Sequence, residues 1–118
     1  MKNTTIGKTA CYGVGIGTMP WSGSRFWGYG STLKTEDARM AFDAAVAAGV
    51  DLFDTAEVYG FGKSEKAIGK ILGDVGKDGI KIATKYAPMP WRFSSKSFRK
   101  ALGKSLLRLG LDSVDLYQ

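Results

Sequence analysis

Three residues that can take part in proton transfer follow two apolar segments of the sequence. Asp54 and Tyr59 come after segment 50–53, and Lys85 lies near the end of segment 80–87. A tyrosine phenol is a weak acid at neutral pH, but a neighbouring ammonium favours the phenolate and makes the phenol a better proton donor. A carboxylate beside that ammonium keeps it charged. We therefore predict a relay in which Asp54 fixes Lys85. Lys85 in turn tunes Tyr59 as a general acid for carbonyl reduction or a general base for alcohol oxidation.

Each of the three residues also has an ordinary structural explanation. An aspartate after a strand often forms a turn, a strand-end lysine often extends its ammonium into solvent, and a loop tyrosine often packs. The spacing favours a catalytic role, because Asp54 and Lys85 are separated by about 30 residues, which is the length of one βα unit. Adjacent parallel strands would then bring Asp54 and Lys85 to the same edge of a sheet, which is where proteins with parallel βα units bind their ligands.

The elements that position these residues are predicted from hydrophobic periodicity. Apolar residues repeat with helical spacing after Thr35, a predicted N-cap, as far as Gly49, and again from Ser64 to about Gly73. A third helix is predicted from about Ser95 to Leu109, with Phe98, Leu102, Leu106 and Leu109 on its apolar face. Short strand-like segments alternate with these helices and occupy residues 12–17, 50–53, 80–87 and 114–118. Residues 4–10 could form a small β-hairpin, and residues 20–32 a loop rich in Trp, Gly and Ser.

This alternation predicts an α/β fold with about four parallel strands and three crossover helices, preceded by a short N-terminal β segment. An open doubly wound sheet and a (β/α) barrel both have this pattern. The dinucleotide fingerprint of the first is incomplete, because Gly13, Gly15 and Gly17 are followed by Thr18 and not by the third glycine of that motif. The GK[ST] tripeptides also lack the earlier glycine of a P-loop.

Four segments resemble the aldo-keto reductase family. GVDLFDTAEVYGFGKSEKAIG is similar to the family's first signature, and IKIATKYAP to the strand that carries its catalytic lysine. KSFRKALGKSLLRLGLDSVDLYQ resembles the third helix and fourth strand, and GIGTMPW the first strand with its cofactor-facing turn. The resemblance covers about residues 6–118. It implies the first half of a (β/α)₈ barrel, NADPH as hydride donor, and a small aldehyde or ketone as substrate.

The resemblance also assigns site residues, each at a position that matches a family motif. Asp54, Tyr59 and Lys85 correspond to three of the family's four catalytic residues. Positions similar to those that contact the cofactor are Gly17, Thr18, Met19 and Asp54. Trp21 and Trp91 lie on loops that would border the substrate pocket, although either could simply pack. No metal site is expected.

One departure from the family pattern concerns its fourth catalytic residue, a histidine that follows the VDLYQ-type strand. This chain contains no histidine and ends at Gln118, whereas barrels of this class need about 250 residues. We therefore expect residues 1–118 to be a single partial domain, truncated after the fourth barrel strand and inactive alone. Its exposed strand edges could make it self-associate.

Composition and charge limit the alternatives. The chain has a globular composition, and no apolar segment approaches the roughly 20 residues of a membrane span. A single cysteine, Cys11, indicates a reducing compartment, so we expect a cytoplasmic location, with a plastid or another organelle left open. The net charge of +6 raises nucleic acid as a partner. We instead expect the basic residues between Arg92 and Arg108 to form a solvated helix face, with no nucleic-acid partner. A non-catalytic, cofactor-sensing regulatory subunit and an inactive fragment remain open alternatives.

Overall fold

Four short strands run parallel in one sheet, and a helix lies in each of the three connections between them. The computed structural model describes residues 3–23 and 34–118. The sheet has the strand order β3-β4-β5-β6, and an antiparallel hairpin of β1 and β2 precedes it. The strands are β1 (Thr4–Ile6), β2 (Thr9–Cys11), β3 (Gly15–Gly17), β4 (Leu52–Asp54), β5 (Lys81–Thr84) and β6 (Leu116–Tyr117); the helices are α1 (Thr35–Ala47), α2 (Lys63–Val75) and α3 (Ser95–Leu109).

The predicted α/β class, its parallel sheet and the N-terminal hairpin are confirmed. Each strand is shorter than its apolar segment; β3 forms only at the end of segment 12–17, and β4 begins at Leu52 and ends one residue beyond segment 50–53. The loop predicted for residues 20–32 begins instead with a 3-10 helix, Met19–Ser22. Its residues 24–32 lie outside the described ranges.

Strand alternation gives the sheet two different faces. Phe53 is paired with Ile82, and both side chains are buried on the side that the helices cover. Phe42 of α1 stacks on Phe53 with ring centroids 4.6 Å apart. Because side chains alternate along a strand, Asp54 of β4 and Ala83 of β5 lie on the opposite, inner face. The apolar core therefore forms behind the sheet and leaves the inner face for polar residues at the strand ends.

The helices begin and end close to their predicted bounds. The N-cap of α1 is Lys34 rather than the predicted Thr35, and the Asp37 carboxylate accepts a hydrogen bond from the Lys34 amide at 2.8 Å. The predicted bounds of α3 are confirmed, and the Ser94 hydroxyl caps its N-terminus.

The predicted apolar face of α3 was partly wrong. Its buried residues are Ala101, Ser105 and Leu109, whereas Phe98 is 40% exposed. Small residues face inward because α3 packs closely on α2, where a Cβ added to Gly69 would lie 2.6 Å from the Arg108 carbonyl oxygen. Within the described ranges, no helix is long and apolar enough to span a membrane.

Candidate functional site

Asp54 and Lys85 form an ion pair at the carboxyl edge of the sheet. Asp54 is the last residue of β4, and Lys85 comes directly after β5. The Lys85 ammonium donates a hydrogen bond to Asp54 Oδ2 and a second one, 3.1 Å long, to the Thr55 carbonyl oxygen. About a third of each side chain is exposed, so a ligand at the carboxyl edge of the sheet can reach the pair.

Tyr59 lies beside this pair. Its ring centroid is 5.3 Å from the Lys85 Nζ atom, which is within the range of a cation–π contact. The structure thus brings together the three residues that the sequence analysis selected for proton transfer. The Lys85 ammonium thus contacts the Asp54 carboxylate and the Tyr59 ring at the same time.

The loop that carries Tyr59 is fixed by its backbone. The Thr55 amide donates to the Ala83 carbonyl oxygen at 2.9 Å, and the Ser64 amide donates to the Tyr59 carbonyl oxygen at 3.2 Å. Residues 60–62 all have positive φ, including the non-glycine Phe61 at 55°. A Cβ added to Gly60 would lie 2.5 Å from the Ser22 Cβ atom, so glycine is required where the loop crosses the 3-10 helix.

Three buried hydroxyls connect this loop to the ends of β3 and β4. Ser64 Oγ donates to the Thr18 carbonyl oxygen at 2.7 Å and accepts from Thr55 Oγ1 at 2.9 Å. The Thr18 hydroxyl lies 2.7 Å from Ser64 Oγ and 3.1 Å from the Asp54 carbonyl oxygen. All three side chains are at most 1% exposed. We call Thr18, Thr55 and Ser64 the hydroxyl network; it joins two strand ends to the first turn of α2.

A buried carboxylate lies next to this network. Glu65 is fully buried, and its two oxygens accept hydrogen bonds from Thr84 Oγ1 at 2.6 Å and from Arg108 Nε at 2.5 Å. Arg108 was predicted to lie on a solvated basic face, and this was wrong. The charge of Glu65 draws the guanidinium inward, because a buried carboxylate requires a charged or hydrogen-bonded partner.

The residues predicted to contact a cofactor have different surroundings. Gly17 ends β3 opposite Asp54, and a Cβ added there would meet no atom within 4 Å. Met19 is half-buried. Thr18 is fully buried and its hydroxyl belongs to the hydroxyl network, so its side chain is not exposed to a ligand at the carboxyl edge of the sheet. Among these residues, Gly17 and Asp54 leave the most room for a ligand.

The two predicted pocket tryptophans also differ. Trp21 is half-buried and packs against the core, with its ring centroid 6.2 Å from that of Phe53. Trp91 is 77% exposed on the loop after β5, at the same edge as Lys85. Trp21 therefore packs against the core, whereas Trp91 is exposed to solvent on the loop that follows β5.

Two further features were missed by the sequence analysis. The Gln118 amide donates to Asp54 Oδ1 at 3.2 Å, so a residue at the end of β6, two strands away from β4, also contacts the carboxylate. Strand alternation could have found it, because Gln118 follows β6 as Lys85 follows β5. Glu57 pairs with Arg92 across two loops at the same edge. No local signal in the sequence indicates that pairing.

A model of the Aldo/keto reductase family matches residues 13–118. The chain belongs to this family. Pyridoxal reductase, chloroplastic, of Arabidopsis thaliana is 38% identical over 114 residues, which cover 89% of this chain and 31% of that protein. Aldo-keto reductase YhdN of Bacillus subtilis is 38% identical over 130 residues, covering 100% of this chain and 37% of that protein. The chain thus spans about a third of the length of the curated relatives it matches.

The solved aldo-keto reductases confirm the predicted fold. A Klebsiella pneumoniae aldo/keto reductase, crystallised in complex with NADP and acetate, superposes with a TM-score of 0.71 at 27% identity. The match covers 92% of this chain and 35% of that chain. Structural neighbours of this family are TIM barrels, and the four parallel strands with their helices correspond to part of such a barrel.

Proposed function

We propose that this chain contributes Asp54, Tyr59 and Lys85 to the active site of an NADPH-dependent reductase that converts aldehydes and ketones to alcohols. The observation that carries this proposal is the shared position of the three side chains at the carboxyl edge of the sheet. Family membership supports it, since the family model matches a segment of the chain that contains all three residues.

The proposed chemistry divides between cofactor and protein. NADPH, when bound, supplies the hydride. The Tyr59 phenol donates its proton to the carbonyl oxygen of the substrate, and the Lys85 ammonium stabilises the negative charge that remains on the tyrosine. Asp54 holds the ammonium charged and in place, while Gln118 holds the second oxygen of that carboxylate.

Gly17, Met19 and Asp54 would border the nicotinamide end of the cofactor. Gly17 fits this role because the position of its missing Cβ is open space beside Asp54. Trp91 would border the substrate pocket, since it is exposed on the loop that follows Lys85.

The decisive experiment uses the protein expressed from its complete coding sequence. NADPH oxidation is followed with pyridoxal and with small aldehydes, pyridoxal being chosen because one relative is named a pyridoxal reductase. Tyr59→Phe should lower kcat by about 10²- to 10⁴-fold, the usual contribution of a general acid. Tyr12→Phe, at the opposite end of the sheet, is the matched control and should keep full activity.

Three results would contradict the proposal. Retained turnover in Tyr59→Phe would refute the general-acid role. NADPH binding without any carbonyl-dependent oxidation would favour a cofactor-sensing regulatory subunit instead. Absence of both NADPH binding and turnover would favour a protein that has lost the activity.

We further propose that residues 1–118 are part of one larger barrel domain and lack turnover when expressed alone. In the described part of the chain, the outer edges of β3 and β6 pair with no other strand. Unpaired edges favour self-association. Size-exclusion chromatography of the 118-residue chain should therefore show oligomers, and a monomer that melts cooperatively and reduces carbonyls would contradict this.

A further inference from the structure

The loop that carries Tyr59 is tied to the loop after β5 by an ion pair of Glu57 and Arg92, here called the interloop ion pair. Arg92 Nη1 donates to Glu57 Oε1 at 2.8 Å, and Nη2 donates to Oε2 at 3.1 Å. This two-point geometry is specific to arginine and fixes both position and orientation. Glu57 Oε1 also accepts from the Ala87 amide at 2.7 Å. One carboxylate thus binds both ends of the segment 87–92.

Arg92 is held by more than its charge. Its Nη1 atom also donates to the Ala87 carbonyl oxygen at 3.1 Å, and its guanidinium lies 4.4 Å from the ring centroid of Tyr86. The Tyr86 hydroxyl donates to the Arg92 carbonyl oxygen. Only 23% of the Arg92 side chain and 11% of the Glu57 side chain remain exposed. At this burial the pair is screened far less by water and salt than a surface ion pair.

The residues on either side of Arg92 point away from these contacts. Trp91 is 77% exposed and Phe93 is 79% exposed, whereas Arg92 between them is turned toward Glu57. One loop thus exposes two large aromatic side chains, and exposed apolar surface of this kind can mark a ligand-binding groove. Loops at the carboxyl edge of a parallel sheet are where such proteins bind substrates.

We infer that Glu57 and Arg92 are positioning residues that set the place of Trp91 and Phe93 relative to Tyr59, and thereby select carbonyl substrates with a bulky apolar group. The inference rests on the proposed function, because it assigns a specificity to that same site. The side chains of the pair form no hydrogen bond with Asp54 or Lys85. The Glu57 backbone amide does donate to the Lys85 carbonyl oxygen at 3.3 Å, but a side-chain substitution keeps this bond. Loosening the ion pair therefore changes the apolar wall of the pocket and leaves the proton donor in place.

The test compares Glu57→Gln and Arg92→Lys with wild type in the protein expressed from its complete coding sequence. Gln keeps the shape of Glu57 without its charge, and Lys keeps the charge of Arg92 without the two-point geometry. Glu36→Gln, at an exposed carboxylate in the first turn of α1, is the matched control. For benzaldehyde, KM should rise roughly tenfold in either variant, the size of a typical coupling between contacting charges. For propanal, KM should change less than about twofold, as should kcat for both substrates.

A second readout does not depend on activity. Trypsin must take the Arg92 guanidinium into its own acidic pocket, so the ion pair has to open before the bond between Arg92 and Phe93 is cleaved. Glu57→Gln should therefore be cut at this bond roughly tenfold faster than wild type or Glu36→Gln, as monitored by mass spectrometry. If Glu57→Gln does not fold, Arg92→Lys replaces it in both assays, because trypsin also cleaves after lysine.

The outcomes separate this inference from the proposed function. A fall in kcat with KM unchanged, or equal effects on benzaldehyde and propanal, would overturn the role in substrate selection. Equal cleavage rates in wild type and Glu57→Gln would overturn the tie between the loops. A wild-type protein that reduces no carbonyl would refute the proposed function and the substrate selection together. The cleavage rates would then still decide whether the two loops are tied.

Discussion

Replacing Ser64 by alanine removes the hydroxyl at the centre of the hydroxyl network and is the most direct test of how the site loop is held. Ser64 Oγ takes part in three hydrogen bonds, to the Thr18 carbonyl oxygen, the Thr18 hydroxyl and the Thr55 hydroxyl. After the substitution, Thr18 keeps its bond to the Asp54 carbonyl oxygen, but the buried Thr55 hydroxyl has no partner left. The loss therefore falls mainly on Thr55.

The expected cost follows from these contacts. Losing the net contribution of the Ser64 hydrogen bonds costs about 1 kcal/mol, and leaving the Thr55 hydroxyl buried without a partner costs about 1–3 kcal/mol more. We expect Ser64→Ala to lower the free energy of unfolding by about 2–4 kcal/mol, measured by urea denaturation of the protein from the complete coding sequence. Ser113→Ala, at an exposed serine, is the matched control and should change it by less than about 0.5 kcal/mol.

A double mutant separates the network from simple loss of packing. Thr55→Val removes the hydroxyl that Ser64→Ala leaves unsatisfied, at nearly constant volume. The double variant should therefore be more stable than the sum of the two single effects predicts, by about 1–2 kcal/mol. Strictly additive effects of Ser64→Ala and Thr55→Val would refute the reasoning, since they would mean that the two hydroxyls do not depend on each other.

Three further predictions use matched pairs or pH. Burial, together with the charges of two nearby carboxylates, raises the pKa of Tyr117 to about 12, and its hydroxyl has no partner among the described residues. Tyr117→Phe should thus leave the free energy of unfolding unchanged or raise it by about 1 kcal/mol. Tyr86→Phe removes a hydrogen bond to the Arg92 carbonyl oxygen and should lower the free energy of unfolding by about 1 kcal/mol. A loss of stability in Tyr117→Phe alone would contradict this prediction. In α2, Gly73→Ala should stabilise by about 0.5–1 kcal/mol because its added Cβ meets open space, whereas Gly69→Ala pushes α2 from α3 and should lower the thermal midpoint. Burial raises the pKa of Glu57, but hydrogen bonds from the guanidinium of the interloop ion pair and from a backbone amide outweigh it, so the pKa lies below the ordinary 4.5. The stabilisation is therefore present above pH 4.5 and lost as the pH falls through the lower, folded-state pKa, and Glu57→Gln should abolish this part of the acid dependence in urea titrations.

Local periodicity was enough to predict the α/β class and the parallel sheet, whereas the choice of a barrel came from the family resemblance. Two-residue and 3.6-residue repeats of apolar side chains gave the order of strands and helices, and the bounds of α3 were correct because Ser94 and Gly110 mark its ends chemically. Periodicity also gave the shared edge of Asp54 and Lys85, since each follows its own parallel strand. Strand lengths were overestimated because an apolar segment continues beyond the residues that form the ladder.

The polar contacts between residues far apart in the sequence could not be predicted in this way. Glu65 and Arg108 pair across 43 residues, and Glu57 and Arg92 across 35. Each arginine was assigned to a solvated face because a helix pattern records only which side is apolar, not which distant carboxylate is buried beneath it. Trp21 illustrates the same limit, since nothing in its surroundings along the chain indicates that its ring packs on Phe53.

Asp54 connects the two faces of the sheet. On the inner face its carboxylate accepts hydrogen bonds from Lys85 and Gln118. Its carbonyl oxygen accepts from both the amide and the hydroxyl of Thr18, at 2.9 and 3.1 Å, and so belongs to the buried network. Because one residue has both sets of contacts, the position of the carboxylate depends on hydroxyls that no ligand reaches. Changes in the hydroxyl network should therefore alter the proton transfer proposed for Tyr59 as well as the stability, through a displaced Asp54 and the Lys85 that it holds.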